Sequence, residues 1–268
     1  PGLGSVLEAL GMRLGTALVL ELMASNAVSA DANPWPIVDA ILRGQRKPPQ
    51  KAYEVDIATT AKTWAGLSGE QRSLLELLSR FSVSPAQARR WFDGRERARA
   101  TRSPVTEREI LENPYRIAEL DLGDAKEHPI ALGVIDRGIL PESTIAAKHP
   151  VPEPSNVQSP LDERRVRAAI VSVLRRAADD GDALLAEDDA LTRIGELDLE
   201  HPIVIPTAWL AGHVSDLAPE VEQFSVLTDH EQDIHTPCLQ LVEMKSLEDK
   251  LRSILSKRAS RDVPSLQE

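Results

Sequence analysis

The chain has 268 residues, of which 42% are hydrophobic and 27% charged, an ordinary globular composition without the low-hydrophobicity signature of disorder. Its formal net charge of -11 excludes a surface that grips phosphate throughout, so any nucleic-acid contact must be local. With aromatics at only 3%, one cysteine (Cys238) and no apolar run of membrane-spanning length, an all-β fold, an internal disulfide, a cysteine-based zinc ribbon and a membrane span are all disfavoured, and a reducing, cytoplasmic setting fits.

Val6, Leu7, Leu10, Leu14, Leu18 and Leu22 recur near helical spacing, interrupted by Gly11 and Gly15, and predict one long or broken helix. Asn33-Pro34 opens a short helix carrying Ile37, Val38, Ile41 and Leu42, which Gly44 and the Lys47-Pro48-Pro49 loop stop. Tyr53, Ile57, Ala61 and Trp64 stripe the next helix. Ser68 to Gln71, Ser84 to Gln87 and Thr106 to Glu109 then each fit the capping box, in which the cap hydroxyl accepts from a helix N–H and the Glu or Gln reaches back. Three helix starts follow. The first two, bearing Leu74 to Phe81 and Ala88 to Phe92, form a helical hairpin ending at Asp93-Gly94.

Arg89 and Arg90 precede that turn, and Arg95, Arg97, Arg99 and Arg102 follow it. This is the candidate phosphate contact, read as a basic loop on an acidic chain. The competing reading is a solvated face pairing with acids such as Glu96 and Glu107.

His149-Pro150-Val151-Pro152-Glu153-Pro154 reads as a stiff connection and a domain boundary. Beyond it Val166, Ala169, Ile170, Val173, Leu174 and Ala177 predict an amphipathic helix ending before Gly181. Ala183-Leu184-Leu185 suggests a short strand. Helices follow around Leu191 and Ile194 and, from Pro206-Thr207, around Trp209, Val214 and Leu217. Val221 to Leu227 and Cys238 to Met244 read as a strand hairpin, after which Ser246 caps a helix bearing Leu247, Leu251, Ile254 and Leu255. Helix, strand, helix, helix, hairpin is the order of a winged helix. The tail from Ser260 reads as a linker, and the opening Pro1-Gly2-Leu3-Gly4, without an initiator Met, reads as part of a longer protein.

Other chemistry is sparse. ATP hydrolysis of the P-loop kind needs a Gly-Lys-Ser/Thr loop, and no Gly-Lys pair occurs. Neither a Gly-x-Ser-x-Gly elbow nor His-Glu-x-x-His is present. His230, Asp233, His235 and Cys238 could offer metal ligands, but their spacing matches no zinc pattern and a polar turn explains them, so no metal is expected. Trp64, Trp91 and Trp209 sit on apolar helical stripes and read as core.

Leu111-Glu112-Asn113-Pro114-Tyr115-Arg116-Ile117-Ala118-Glu119 resembles the Glu-Asn-Pro-Tyr-Arg-Leu-Ala stretch of RecD-like DNA helicases, relatives of the exodeoxyribonuclease V alpha subunit. Leu77 to Ala88 is similar to that family's first helix-hairpin-helix unit, and Arg165 to Ala178 with Gly181 to Leu185 to its next helix and strand. Three matches in order cover roughly residues 67 to 258. The expected fold is mainly α: an N-terminal helical segment (1–66), a helix-hairpin-helix-like domain (67–148), a Pro-rich linker (149–160), a winged-helix-like lobe with a small β-hairpin (161–259), and a linker (260–268), which the resemblance implies leads toward a motor domain outside this chain. The resemblance also implies an accessory region for DNA handling in repair or recombination. That region is non-catalytic by itself, and ATP and Mg are cofactors of the motor alone. Its partner would be single-stranded or junction DNA, bound weakly and without sequence preference, with a protein partner also possible. Where the family has a Gly-Ile-Gly hairpin, this chain has Asp121-Leu122-Gly123-Asp124, whose aspartates are expected to repel phosphate; Gly2-Leu3-Gly4 is a second candidate hairpin, with Glu8 where a small residue usually packs.

Two other readings compete. One is a protein-interaction scaffold without DNA contact, favoured by the net charge. The other is a stand-alone winged-helix transcription regulator, which the lack of Lys or Arg between Pro206 and Pro219 disfavours.

Overall fold

The structure, a computed structural model, describes residues 2–29, 31–229 and 234–260. Among them the chain is mainly helical with one small antiparallel sheet, and it divides into two compact units, Pro1–Ala168 with Asp198–Pro202 and Ala169–Leu197 with Ile203–Glu268. No described helix is long and apolar enough to cross a membrane.

The first unit contains α1 (Gly2–Ala9), α2 (Gly15–Ala24), α3 (Trp35–Leu42), α4 (Glu54–Gly66), α5 (Gly69–Leu78), α6 (Pro85–Phe92), α7 (Gly94–Thr101), α8 (Glu107–Glu112), α9 (Arg116–Leu120), α10 (Leu132–Ile139) and α11 (Ser143–Lys148). All three capping boxes form, with Ser68, Ser84 and Thr106 each accepting from the N–H three residues on and receiving the reciprocal side-chain contact. The long or broken first helix is two helices, α1 and α2, parted where Gly11 adopts φ +100°.

Gly2-Leu3-Gly4 is not a hairpin but the start of α1. A Cβ on Gly2 would fall 2.2 Å from the Phe81 carbonyl oxygen, and one on Gly4 2.7 Å from Thr16 Oγ1. The glycines therefore let α1 lie directly on the turn after α5 and on α2. Glu8, odd in a hairpin, accepts from the Thr16 N–H at 3.1 Å in the first turn of α2, where a carboxylate favours the helix dipole. Residues 1–66 and 67–148, expected as separate segments, thus share a core, with α1 against α5 and α6.

The expected linker also belongs to this unit. Ser155 is buried and donates to the Leu111 carbonyl at 2.7 Å, while Arg80 donates to the His149 and Pro150 carbonyls at 3.2 and 2.5 Å. Arg164 donates to the Pro154 and Asn156 carbonyls at 3.1 and 2.6 Å. A segment whose backbone acceptors are satisfied this way is packed rather than a free join.

The Asn-Pro-Tyr-Arg stretch lies in the same core. Asn113 Oδ1 accepts from the Tyr115 N–H at 3.1 Å and turns the chain from α8 into α9. Tyr115, wholly buried, donates its hydroxyl to Asp136 Oδ1 at 2.8 Å. The same carboxylate receives Arg165 Nε at 2.6 Å and Nη2 at 2.8 Å. Burial and the Asp136 charge push the Tyr115 phenol well above its ordinary range, and the phenol stays a donor. One helical turn on, Glu119 accepts from Arg116 Nη1 and Arg167 Nε, both at 2.8 Å. Ion pairs so deeply desolvated are tolerated only when every partner is present.

The division between the units falls inside α12 (Glu163–Asp179). The second unit continues with β1 (Leu185–Ala186), α13 (Glu187–Gly195), α14 (Thr207–His213), β2 (Val221–Asp229), β3 (Ile234–Leu241) and α15 (Val242–Ala259). The sheet order is β1-β3-β2, antiparallel throughout, with Leu185 opposite Leu239 and Val221 opposite Leu241. Val242 to Met244, expected to prolong the strand, instead begin the last helix. The ladder closes when the Val242 N–H reaches the Glu220 carbonyl at 3.0 Å, and Glu243 then lies in the first helical turn, so the start precedes the expected cap at Ser246. α15 carries no buried residue, and Leu251 and Leu255 are 59% and 62% exposed.

Candidate nucleic-acid interface

Asp93-Gly94, read as a turn into a loop, is a helix start. Asp93 accepts from the Arg95 and Glu96 N–H groups at 2.8 and 3.0 Å. The Glu96 bond first, then that of Arg95, holds the Asp93 carboxyl below its usual range against the cost of burial. The arginines beyond Asp93 therefore follow a 3.6-residue period. Arg95 and Arg99 lie one turn apart and are exposed, and Arg97 turns inward.

Two of the six candidates are internal. Arg97, 2% exposed, donates to the Val105 and Trp91 carbonyls and to Glu107 Oε1, each at 2.7 Å. Burial raises the Glu107 pKa, but the Arg97 hydrogen bond, the backbone hydrogen bond of Glu107 and the Arg97 charge together lower it below its ordinary value. Arg90, 4% exposed, donates to Asp121 Oδ2 at 2.8 Å, Asp124 Oδ2 at 3.3 Å and the His128 carbonyl at 3.1 Å. Neither guanidinium is presented to solvent, so both are withdrawn from the surface cluster; they tie α6 and α7 to the segments that come after them.

The aspartates expected to repel phosphate thus neutralise Arg90. Asp121 also receives the Gly123 and Ile130 N–H groups at 3.0 and 2.9 Å. Gly123 has φ +67°, and a Cβ there would meet the Glu127 carbonyl oxygen at 2.8 Å, so this turn requires glycine. It is built around the chain's own buried Asp121 carboxylate, which takes up N–H groups of the turn.

Arg89, Arg95, Arg99 and Arg102 remain on the surface. Arg89 reaches the Glu8 carbonyl at 3.5 Å, and Arg102 caps α7 in the left-handed region at φ +53°. Like charges at i and i+4 cost a helix roughly 0.2–0.5 kcal/mol, so phosphates taken up by Arg95 and Arg99, one each, relieve repulsion as they bind.

Sequence reasoning missed a second group of exposed cations. No Asp or Glu occurs between Asp39 and Glu54, while Arg43, Arg46, Lys47 and Lys51 do, all exposed. Counting acids along the chain would have found it. At its foot the Trp35 and Trp64 rings stack at 5.2 Å, with the Arg72 guanidinium 5.5 Å over Trp64. Asp39 accepts from Trp64 Nε1 at 2.9 Å and pairs with Arg43 Nε at 2.7 Å. These groups line an open cleft of about 290 Å³.

Comparison with protein-family models, curated proteins and solved structures finds no match to this chain. The functional reading therefore rests on the residues themselves. His230 and Asp233 of the candidate metal group lie outside the described residues. Among those described, no three His, Cys, Asp or Glu side chains could hold a metal ion, and burial pushes the Cys238 thiol up. Trp64 and Trp91 are core as expected, and Trp209 is half-buried, stacked on the His213 ring at 4.0 Å.

Proposed function

We propose that this chain is the DNA-handling accessory region of a RecD-like ATP-dependent helicase, contacting the sugar–phosphate backbone of single-stranded or junction DNA without reading bases. The observation that carries the reading is the meeting of two of the three resembling stretches at one buried network: Tyr115 comes from the Asn-Pro-Tyr-Arg stretch and Arg165 from the next helix, and both bind Asp136. Those stretches then form one framework, and α6 and α7 carry their exposed arginines on it through the Arg90–Asp121 and Arg97–Glu107 pairs.

The α5–α6 hairpin supports the helix-hairpin-helix reading. The order α12, β1, α13, α14, β2, β3 with strand order β1-β3-β2 supports the winged-helix reading of the second lobe. On that reading α14 would be the recognition helix; it carries neither Lys nor Arg, which favours a structural role over base readout. DNA contact is therefore assigned to the first unit, through Arg89, Arg95, Arg99 and Arg102.

The test is fluorescence anisotropy of a labelled single-stranded 20-mer at low salt. Substituting Arg95→Ala and Arg99→Ala together is expected to weaken binding several-fold. Undiminished binding would remove the α7 arginines from the contact, and no binding by the unaltered chain would move the assignment to the interaction-scaffold reading.

A further inference from the structure

A loop between two helices presents cations usefully only when its frame is fixed, because ordering long side chains and backbone together costs free energy. The α3–α4 connection meets that condition. Gly44, at φ +71° with no neighbour within 4 Å of a Cβ, turns the chain out of α3. The Gln45 and Arg46 N–H groups both donate to the Ala40 carbonyl, at 2.8 and 3.0 Å, and close the helix end. Pro48 and Pro49 stiffen the centre of the loop, and Gln50 Nε2 is held by Glu21 Oε1 at 2.6 Å.

From this frame Arg46, Lys47 and Lys51 extend into solvent with no carboxylate in the intervening sequence, and Arg43, exposed but paired with Asp39, stands at their base. Arg72 adds a fifth cation at the foot. Its Nε and Nη2 donate to the Trp64 and Ala65 carbonyls at 3.3 and 3.2 Å, which sets the guanidinium over the Trp64 ring. Arg43 and Arg72 border both the cleft of about 290 Å³ and an adjoining one of about 230 Å³. Two carboxylates face the larger cleft. Asp39 is committed on both oxygens, to Trp64 and Arg43. Glu76 has its pKa raised, by burial first and then by Asp39, and is the group that opposes an anion.

We infer that the α3–α4 loop with Arg72 is a second phosphate-binding element, which takes the sugar–phosphate chain of a single nucleic-acid strand. The recognition is of charge and spacing: Arg46, Lys47 and Lys51 hold successive phosphates and Arg43 with Arg72 the one that enters the cleft. The inference shares with the function proposed above only the class of ligand, and none of its residues lies on α6 or α7.

The two are separated by anisotropy with a labelled 20-nucleotide thymidine strand and the full chain. The triple variant Arg46→Gln, Lys47→Gln and Lys51→Gln should lose affinity on the order of tenfold at low salt, with its thermal midpoint held within a few degrees, and Glu76→Gln should bind more tightly than the unaltered chain. If the triple variant binds as the unaltered chain does, or Glu76→Gln weakens binding, the inference is overturned. Equal displacement of the strand by polyglutamate of the same charge also overturns it, by showing a general anion patch. Loss with the triple variant but not with Arg95→Ala and Arg99→Ala leaves this inference standing and removes the α7 assignment; the opposite pattern does the reverse.

Discussion

Asp136 and Arg165 face each other through two hydrogen bonds of 2.6 and 2.8 Å, with neither side chain more than 1% exposed. Removing one partner of such a pair strands a charge in the core, which costs about 3–5 kcal/mol, whereas apolar replacement of both is far milder. Arg165→Met should therefore lower the urea midpoint steeply, and Arg165→Met with Asp136→Leu should recover much of the loss. Tyr115→Phe, which removes one donor to the same carboxylate, should cost about 1.5–3 kcal/mol. A double variant no more stable than the single one would contradict this account of the network.

The arginines of α6 and α7 divide the same way. Arg97→Gln should destabilise the first unit by about 3 kcal/mol, because its charge and the Val105 and Trp91 carbonyls it satisfies are buried. Arg95→Gln should stay within about 0.5 kcal/mol. Equilibrium denaturation of the two variants side by side decides it, and equal midpoints would sink the assignment of Arg97 to the interior.

How much of this is legible in the sequence depends on the range of the cause. The capping boxes at Ser68, Ser84 and Thr106 are legible because donor and acceptor lie three residues apart. The inward turn of Arg90 is not, because its partner Asp121 is 31 residues away and a carboxylate in a sequence shows no sign of being a buried counterion. Arg97 is lost to phase: reading Asp93-Gly94 as a turn removes the helical period that separates it from Arg95 and Arg99. The strand overruns at Val242 because β-branched character and the closing of a ladder on Glu220 are separate facts, and only the first is local. The acid-free run from Arg43 to Lys51 is legible by charge, although its glycine and prolines mark it only as a loop.

His149 gives the first unit a pH dependence. Burial, and then the Arg80 cation, lowers its pKa from 6.5 to about 4. The unfolded chain therefore binds a proton before the folded one does, and stability present above pH 6.5 is lost as pH falls toward about 4. Thermal midpoints measured across this window should fall less in His149→Gln than in the unaltered chain. Parallel curves would show that the imidazole is not the group responsible.

α15 offers a control from the other unit. Because Leu251 and Leu255 are 59% and 62% exposed, Leu251→Lys should change stability by no more than about 0.5 kcal/mol. A large loss would mean that the apolar stripe is covered in solution.

The central claim, that an acidic chain holds nucleic acid through a few exposed arginines, is tested most directly by salt dependence. For a single strand the slope of log affinity against log salt is about -0.7 for each phosphate neutralised. Anisotropy titrations over a salt series should therefore show a slope flatter by about 1.4 when Arg95 and Arg99 are both replaced by Ala, with no change for Arg89→Lys, which keeps the charge. Equal slopes for the unaltered chain and the double variant would contradict the claim and leave α7 a solvated face.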